Sequence, residues 1–190
     1  MSDLNTKNTP KKISILLVEN NLEDIQNITS YLKESKRIDV DIKSVVKQVH
    51  ESDIEVMANY IYGLPGDNEK TINETFQLSI DLCTSGWNTY AAMALPGSQL
   101  YKLSLQNNYK LPEDYAGYSW HSYNTQNLPT KDLTAAKILK LRDENYKKYH
   151  EYKPFLNRIK SKFGQKAVNN ILEMSKIELK RKICEEENLY

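Results

Sequence analysis

Two stretches of the chain combine residue types and spacing that suit ligand chemistry. The first, residues 59–67, reads N-Y-I-Y-G-L-P-G-D. Val56, Met57, Ala58, Tyr60 and Ile61 form an apolar run that leads into Gly63-Leu64-Pro65-Gly66. That break cannot continue a strand, and Asp67 and Asn68 can cap a helix beginning near Glu69. Such a strand–turn–helix unit presents backbone N–H groups and a helix N-terminus, which suits an anionic or carboxylate-bearing small molecule. A purely structural turn in an α/β domain satisfies the same pattern. The second stretch, Leu95-Pro96-Gly97-Ser98, repeats this logic after N-T-Y-A-A-M-A at residues 88–94. Other reactive types are sparse. Cys83 and Cys184 are the only cysteines, His50 has no neighbouring ligand set, and no partner for proton transfer is evident for His121.

The elements that must hold these stretches can be read from periodicity. Ile72, Phe76, Ile80 and Cys83 share one stripe with Leu82 beside it, which predicts an amphipathic helix over 69–85 packed on a sheet. Cys83 is then a small core residue, and Gly86 is the helix C-cap. A strand over 88–94 and a helix over 98–106 come next. Strand, helix, strand, helix in this order implies parallel neighbours joined by a right-handed crossover. Ligands of such sheets sit at the carboxyl ends of the strands, the edge at which both Pro-Gly turns fall.

Residues 111–129 are long, irregular and rich in aromatic side chains (Tyr115, Tyr118, Trp120, Tyr123, with His121 among them). A segment of this kind is either functional or packs flat over the sheet. Thr134 is a credible cap for a helix over 135–149 with Leu139, Arg142, Tyr146 and Tyr149 on one face. Pro154 opens another helix that Gly164 closes, and 165–187 reads as a last, densely charged helix with Val168, Leu172, Leu179 and Ile183 as its apolar stripe. Lys180-Arg181-Lys182 reads as a solvated face, nearly cancelled by Glu185-Glu186-Glu187. Toward the N-terminus, residues 1–12 are expected to be a disordered leader without the apolar core of a signal peptide. Residues 13–19 are expected as a buried strand, 22–34 as a helix, 40–45 as a second strand, and 46–53 as a short helix with His50 exposed.

Composition bounds the function classes. A chain of 190 residues carries 26 Lys and Arg against 25 Asp and Glu, which argues against a phosphate-backbone binder. Mean hydropathy of −0.66 is polar for a globular enzyme, and 13 tyrosines against 3 phenylalanines shift its apolar mass toward amphipathic rings. Two distant cysteines do not suggest a secreted disulfide scaffold, and no run approaches the length of a membrane span. The expectation is a cytoplasmic protein with neither nucleic acid nor membrane as partner.

The motifs at 59–67 and 92–101 (A-M-A-L-P-G-S-Q-L-Y) together resemble the C-terminal half of a radical SAM enzyme, in particular the subgroup found with cobalamin-binding domains. The resemblance runs from about residue 46 to at least 164. It implies that Ile61, Gly63 and Pro65 line the adenine side of S-adenosyl-L-methionine, with Met93 and Leu95 nearby. It also implies that the aromatic segment helps to cover a substrate mouth. Asn59 stands where that family usually has Gly. The family's [4Fe-4S] cluster sits on a C-x-x-x-C-x-x-C loop, and two distant cysteines cannot make a three-thiolate site.

A second resemblance covers only the first β-α-β unit, where I-L-L-V-E-N-N-L-E-D-I is similar to the opening of a response-regulator receiver domain. Glu19 and Asn20 stand at its acidic pair, so one carboxylate is an amide and a Mg²⁺ site there is weak. The resulting expectation is an α/β chain: a leader (1–12), a receiver-like β-α-β fragment (13–45), part of a parallel (βα) barrel half (46–108), and an aromatic loop with a helical C-terminal tail (109–190). Its function is then that of the SAM-binding side of a radical SAM barrel, inactive alone on an unknown small-molecule substrate and completed by a chain carrying the cluster half. The alternative is a non-catalytic signalling or interaction module with a degenerate receiver-like start.

Overall fold

The computed structural model describes residues 41–190. The chain divides into two units, Met1–Gln48 and Val49–Tyr190. The readings of a leader, a first strand and a first helix lie outside the described residues, as do Glu19 and Asn20.

The first described element is helix α1 (Ile42–Glu51). It replaces the strand expected over 40–45 wherever that segment is described. Ile42, Val45, Val46 and Val49 recur at the helical spacing i, i+3, i+4, i+7, and this period prevails over the short alternation of Val40 and Ile42. Asp41 starts the helix, with its Oδ1 accepting from Lys43 N–H at 3.1 Å and its carbonyl from Val45 N–H at 3.0 Å.

In the second unit, β1 (Met57–Tyr62), α2 (Glu69–Leu82) and β2 (Gly86–Ala91) form a β-α-β unit. The strands are parallel, in register from Met57 opposite Gly86 to Tyr62 opposite Ala91. They form a two-stranded sheet among the described residues. Gly86 is not the helix cap. Cys83 takes that place with a left-handed φ of 44°, donating its N–H to Ser79 O at 3.0 Å. Gly86 instead opens β2, where a Cβ would lie 2.1 Å from Met57 Sδ on the neighbouring strand. The strand therefore begins two residues earlier than expected and includes Trp87.

Helices α3 (Gln99–Gln106), α4 (Ala135–His150), α5 (Lys153–Ser175) and α6 (Lys182–Glu186) complete the chain, with a 3₁₀ turn at Tyr115–Tyr118. Gly164 breaks α5 with φ 81° and ψ 173°, so the Pro154 helix closes there as expected. The helix expected over 165–187 ends early. It stops at Ser175, an irregular strap crosses 176–181, and α6 comes after it.

Strand alternation divides the sheet into two unlike faces. Tyr60, Tyr62, Trp87, Thr89 and Ala91 point to one side, which is covered by α2 and α4. There Tyr62, Ile72, Ala91, Ile138 and Leu139 form one core cluster that also takes in Ile183 and Cys184 from α6. Trp87, Tyr149, Phe155 and Ile159 form the other, with Phe76 and Ile80 against them. Trp87 stacks on Tyr149 at 5.3 Å, and the Tyr149 hydroxyl donates to Thr84 O at 2.7 Å. Met57, Asn59, Ile61, Asn88 and Tyr90 point to the opposite side. Met57 is 64% exposed, Asn59 is exposed, and the Asn88 amide donates to Asn59 Oδ1 at 3.2 Å. Parallel sheets usually carry helices on both faces, so this one lacks a layer among the described residues.

Candidate functional site

The two Leu-Pro-Gly turns share a backbone design. Asp67 N–H donates to Leu64 O at 2.9 Å, and Ser98 N–H to Leu95 O at 3.0 Å. Gly66 (φ 96°) and Gly97 (φ 86°) occupy the third position of each turn, where a type II turn requires positive φ. Proline presets the position before them. Both turns lie just beyond the carboxyl ends of their strands, as expected.

At the first turn, most of the donors expected for an anionic ligand are already engaged. Asp67 Oδ2 accepts from Gly63 N–H at 2.9 Å and Leu64 N–H at 3.2 Å, while Thr71 Oγ1 donates to Asp67 Oδ1 at 2.9 Å. Asn68 caps α2, accepting from Lys70 and Thr71 N–H at 3.0 and 3.1 Å, and its own N–H donates to Thr71 Oγ1 at 3.0 Å. This capping box leaves the first turn self-satisfied. The turn is therefore not an open N–H cradle: the carboxylate next to Gly66 takes the place an anion would occupy.

The carried-over positions gather along this edge with different exposures. Ile61 is half-buried on the uncovered face, and Gly63 is buried at φ 83°, where a Cβ would come within 3.1 Å of Ile138. Pro65 is exposed at the turn tip, Met93 is buried, and Leu95 is 44% exposed. Ala92 N–H donates to Tyr62 O at 2.8 Å, which brings the start of the Met93 segment beside Gly63.

The aromatic segment closes on the same edge. Leu128 N–H donates to Ala92 O at 2.8 Å, and Trp120 Nε1 donates to Ala91 O at 3.0 Å while its ring rests 4.8 Å from Tyr90. Trp120 thus lies over part of the uncovered face. Asp114 Oδ1 anchors the 3₁₀ turn through Gly117 N–H at 3.1 Å, and Thr125 and Asn127 are buried.

Sequence reasoning missed a cluster of charge beside this segment. Arg181, read as part of a solvated face, is fully buried. Its Nε donates to Asp143 Oδ2 at 2.8 Å and its Nη2 to Asp143 Oδ1 at 3.1 Å, while Nη1 reaches Ser122 O and Thr125 Oγ1 at 2.9 and 3.1 Å. A bidentate carboxylate and two further acceptors make burial of this guanidinium tolerable, and they bend the chain away from helix at 176–181. Arg142 also holds Asp143, at 2.7 Å, and its Nε donates to Thr89 O at 2.8 Å. His121 is exposed, but partial burial and the nearby Arg142 and Arg181 guanidiniums keep its imidazole below the ordinary pKa, against the pull of Asp143. The neighbours that the sequence did not supply for His121 are these.

At the amino ends of the strands, Glu55 Oε2 accepts from Arg158 Nε at 3.0 Å and from Ser85 Oγ, and Lys162 stands 3.4 Å from Glu55 Oε1 and pairs with Asp53. His50 is not an exposed helix residue. It is half-buried, with Nε2 enclosed and without a hydrogen-bond partner among the described residues. Burial first, then Arg158, lower its pKa, which favours the neutral ring.

Among the described residues, no three His, Cys, Asp or Glu side chains group as a metal site, and no helix is long and apolar enough to cross a membrane. No family model matches the chain, and neither a curated protein nor a solved structure matches it.

Proposed function

We propose that this chain is the S-adenosyl-L-methionine side of a radical SAM barrel, a barrel half that lacks the cluster loop, is inactive alone and is completed by a second chain carrying the missing half. The observation that supports this reading best is the uncovered face of the parallel β1–β2 pair, together with two Leu-Pro-Gly turns at one edge of it. A barrel's strands turn one face inward and the other onto helices, and a half barrel leaves its inward face open. Ile61 on that face and the exposed Leu95 provide an apolar shelf for an adenine ring, with Gly63 and Pro65 shaping the turn beside it. Met93, being buried, contributes backbone and support in place of side-chain contact. The unknown substrate would meet the Asn59, Asn88 and Trp120 side of the sheet.

The [4Fe-4S] cluster does not fit this chain: it has two cysteines in all, Cys83 half-buried and Cys184 buried in separate clusters. No radical step is assigned to these residues. Isothermal titration with SAM, and then anaerobic incubation with dithionite, tests the reading. The expected result is measurable SAM binding, weakened at least tenfold in Ile61→Asp, without 5′-deoxyadenosine formation. Reductive SAM cleavage by the purified chain would overturn the assignment of an inactive half, and absence of SAM affinity would overturn the whole reading.

The competing reading is a non-catalytic interaction module. It draws support from Asp67, which engages the turn donors that a ligand would otherwise use. It predicts a stable monomer or dimer with no affinity for SAM, whereas an open half sheet predicts oligomers or complementation.

A further inference from the structure

A cleft of about 740 Å³ opens between α4 and the strap at 176–181. This volume lies within the range of small-molecule sites, and the cleft has a distinct floor, wall and rim. Arg142 and Asp143 lie in its floor, with Arg181 behind Asp143. Two guanidiniums share one carboxylate there, which leaves one positive charge in excess. Arg142 is 6% exposed, yet only its Nε and Nη1 have partners, and its Nη2 has no acceptor among the described residues. That nitrogen is not fully enclosed and opens onto the cleft, where it can donate to an anion.

Part of the wall is apolar. Tyr146, Met174, Ile177 and Leu179 line the cleft, and Ile177 and Met174 remain 67% and 50% exposed. Large apolar side chains held open around a buried charge mark a surface for an amphipathic partner. Lys140, Lys147 and Lys180 add three more cations to the lining, of which Lys140 is paired with Glu144. Carboxylates also line the cleft, and they limit the charge an occupant can carry. Glu144 is paired with Lys140 at 3.8 Å and Glu185 accepts from Tyr123 Oη at 2.7 Å, but Glu178 stands at the rim and would repel a dianion.

We propose that this cleft binds a small amphipathic monocarboxylate, its carboxylate meeting Arg142 Nη2 and Lys147 and its hydrocarbon lying along Met174, Ile177 and Leu179. The proposal does not rest on the SAM reading of the strand edge. Its residues come from α4, the end of α5 and the strap, and its ligand carries no adenine.

Isothermal titration of the full chain with octanoate tests it, with octanol, octylamine and octyl phosphate as chain-matched probes. Octanoate should bind one to one, at least tenfold more tightly than the other three. Ile177→Asp, at an exposed position, should weaken octanoate at least tenfold with an unchanged melting temperature, and Lys147→Gln should weaken it severalfold. Arg142→Gln should abolish it, but this variant also loses the Thr89 bond, so the two surface variants carry the test. Octanoate binding no tighter than octanol, or equal in Ile177→Asp, would overturn the site. Tighter binding of octyl phosphate would overturn the monocarboxylate assignment.

Discussion

The β1–α2 and β2–α3 units are joined by the same Leu-Pro-Gly turn and end very differently. After the first turn, Asp67 and Asn68 bind five backbone or hydroxyl donors between them, and α2 runs 14 residues with Ile72 and Ser79 buried. After the second, Ser98 Oγ accepts one N–H, from Tyr101 at 3.1 Å, and α3 runs 8 residues with only Ser104 buried. Leu103 and Leu105 of α3 remain 37% and 55% exposed. The turn is thus a local device that works in either setting. The length and anchoring of the next helix depend on whether it has an apolar face to bury, because short helices draw most of their stability from tertiary packing.

Substitutions should separate these two contributions. Asp67→Ala removes the acceptor of two turn amides and a threonine hydroxyl, and should cost about 2–3 kcal/mol in urea denaturation. A loss below about 0.5 kcal/mol would mean that solvent replaces the carboxylate, and the contrast between the units would fail. Gly66→Ala and Gly97→Ala each force a Cβ into left-handed backbone with nothing within 4 Å to clash, so the local strain in each is about 1–2 kcal/mol. Only the Gly66 variant should show that full loss in global unfolding. The Gly97 variant should show it mainly as faster amide exchange in α3. Ser98→Ala should cost about 0.5–1 kcal/mol, again read in α3 exchange.

The smallest expected effect is common to both units, because one carboxylate ties their amino ends. Burial alone would raise the Glu55 pKa, but Ser85, Arg158 and Lys162 together hold it below its ordinary value of 4.5. A carboxylate depressed in the folded state contributes stability above its unfolded pKa and loses it as pH falls through the folded one. Amide exchange in β1 and β2 should therefore rise together below about pH 4.5, and Glu55→Gln should remove that acid dependence. Acid opening of one strand without the other would break the shared tie.

Local signals explain which parts of this architecture are legible in the sequence. The Asn68 and Thr134 caps, the parallel crossover and the Gly164 break all come from short-range chemistry. The misreadings involve partners far apart in the chain. Arg181 leaves the expected helix for Asp143, 38 residues away, and Gly86 serves Met57 on another strand in place of the helix before it. His50 is enclosed near Arg158, and no spacing rule connects those positions. At the candidate site the turn positions are legible. The occupation of their donors by Asp67 is not, because an acid at that place equally suits a cap facing solvent.

The burial of Ile183 and Cys184 against Tyr62 and Ile72 also governs the timing of folding during synthesis. Domains commonly acquire structure from the N-terminus as they leave the ribosome. In this chain the first core cluster stays incomplete until translation has passed residue 184, and Asp143 waits equally long for Arg181. A nascent chain stalled before that point would expose Leu139, Ala136 and a carboxylate held by Arg142 alone, and would present itself to chaperones as unfinished.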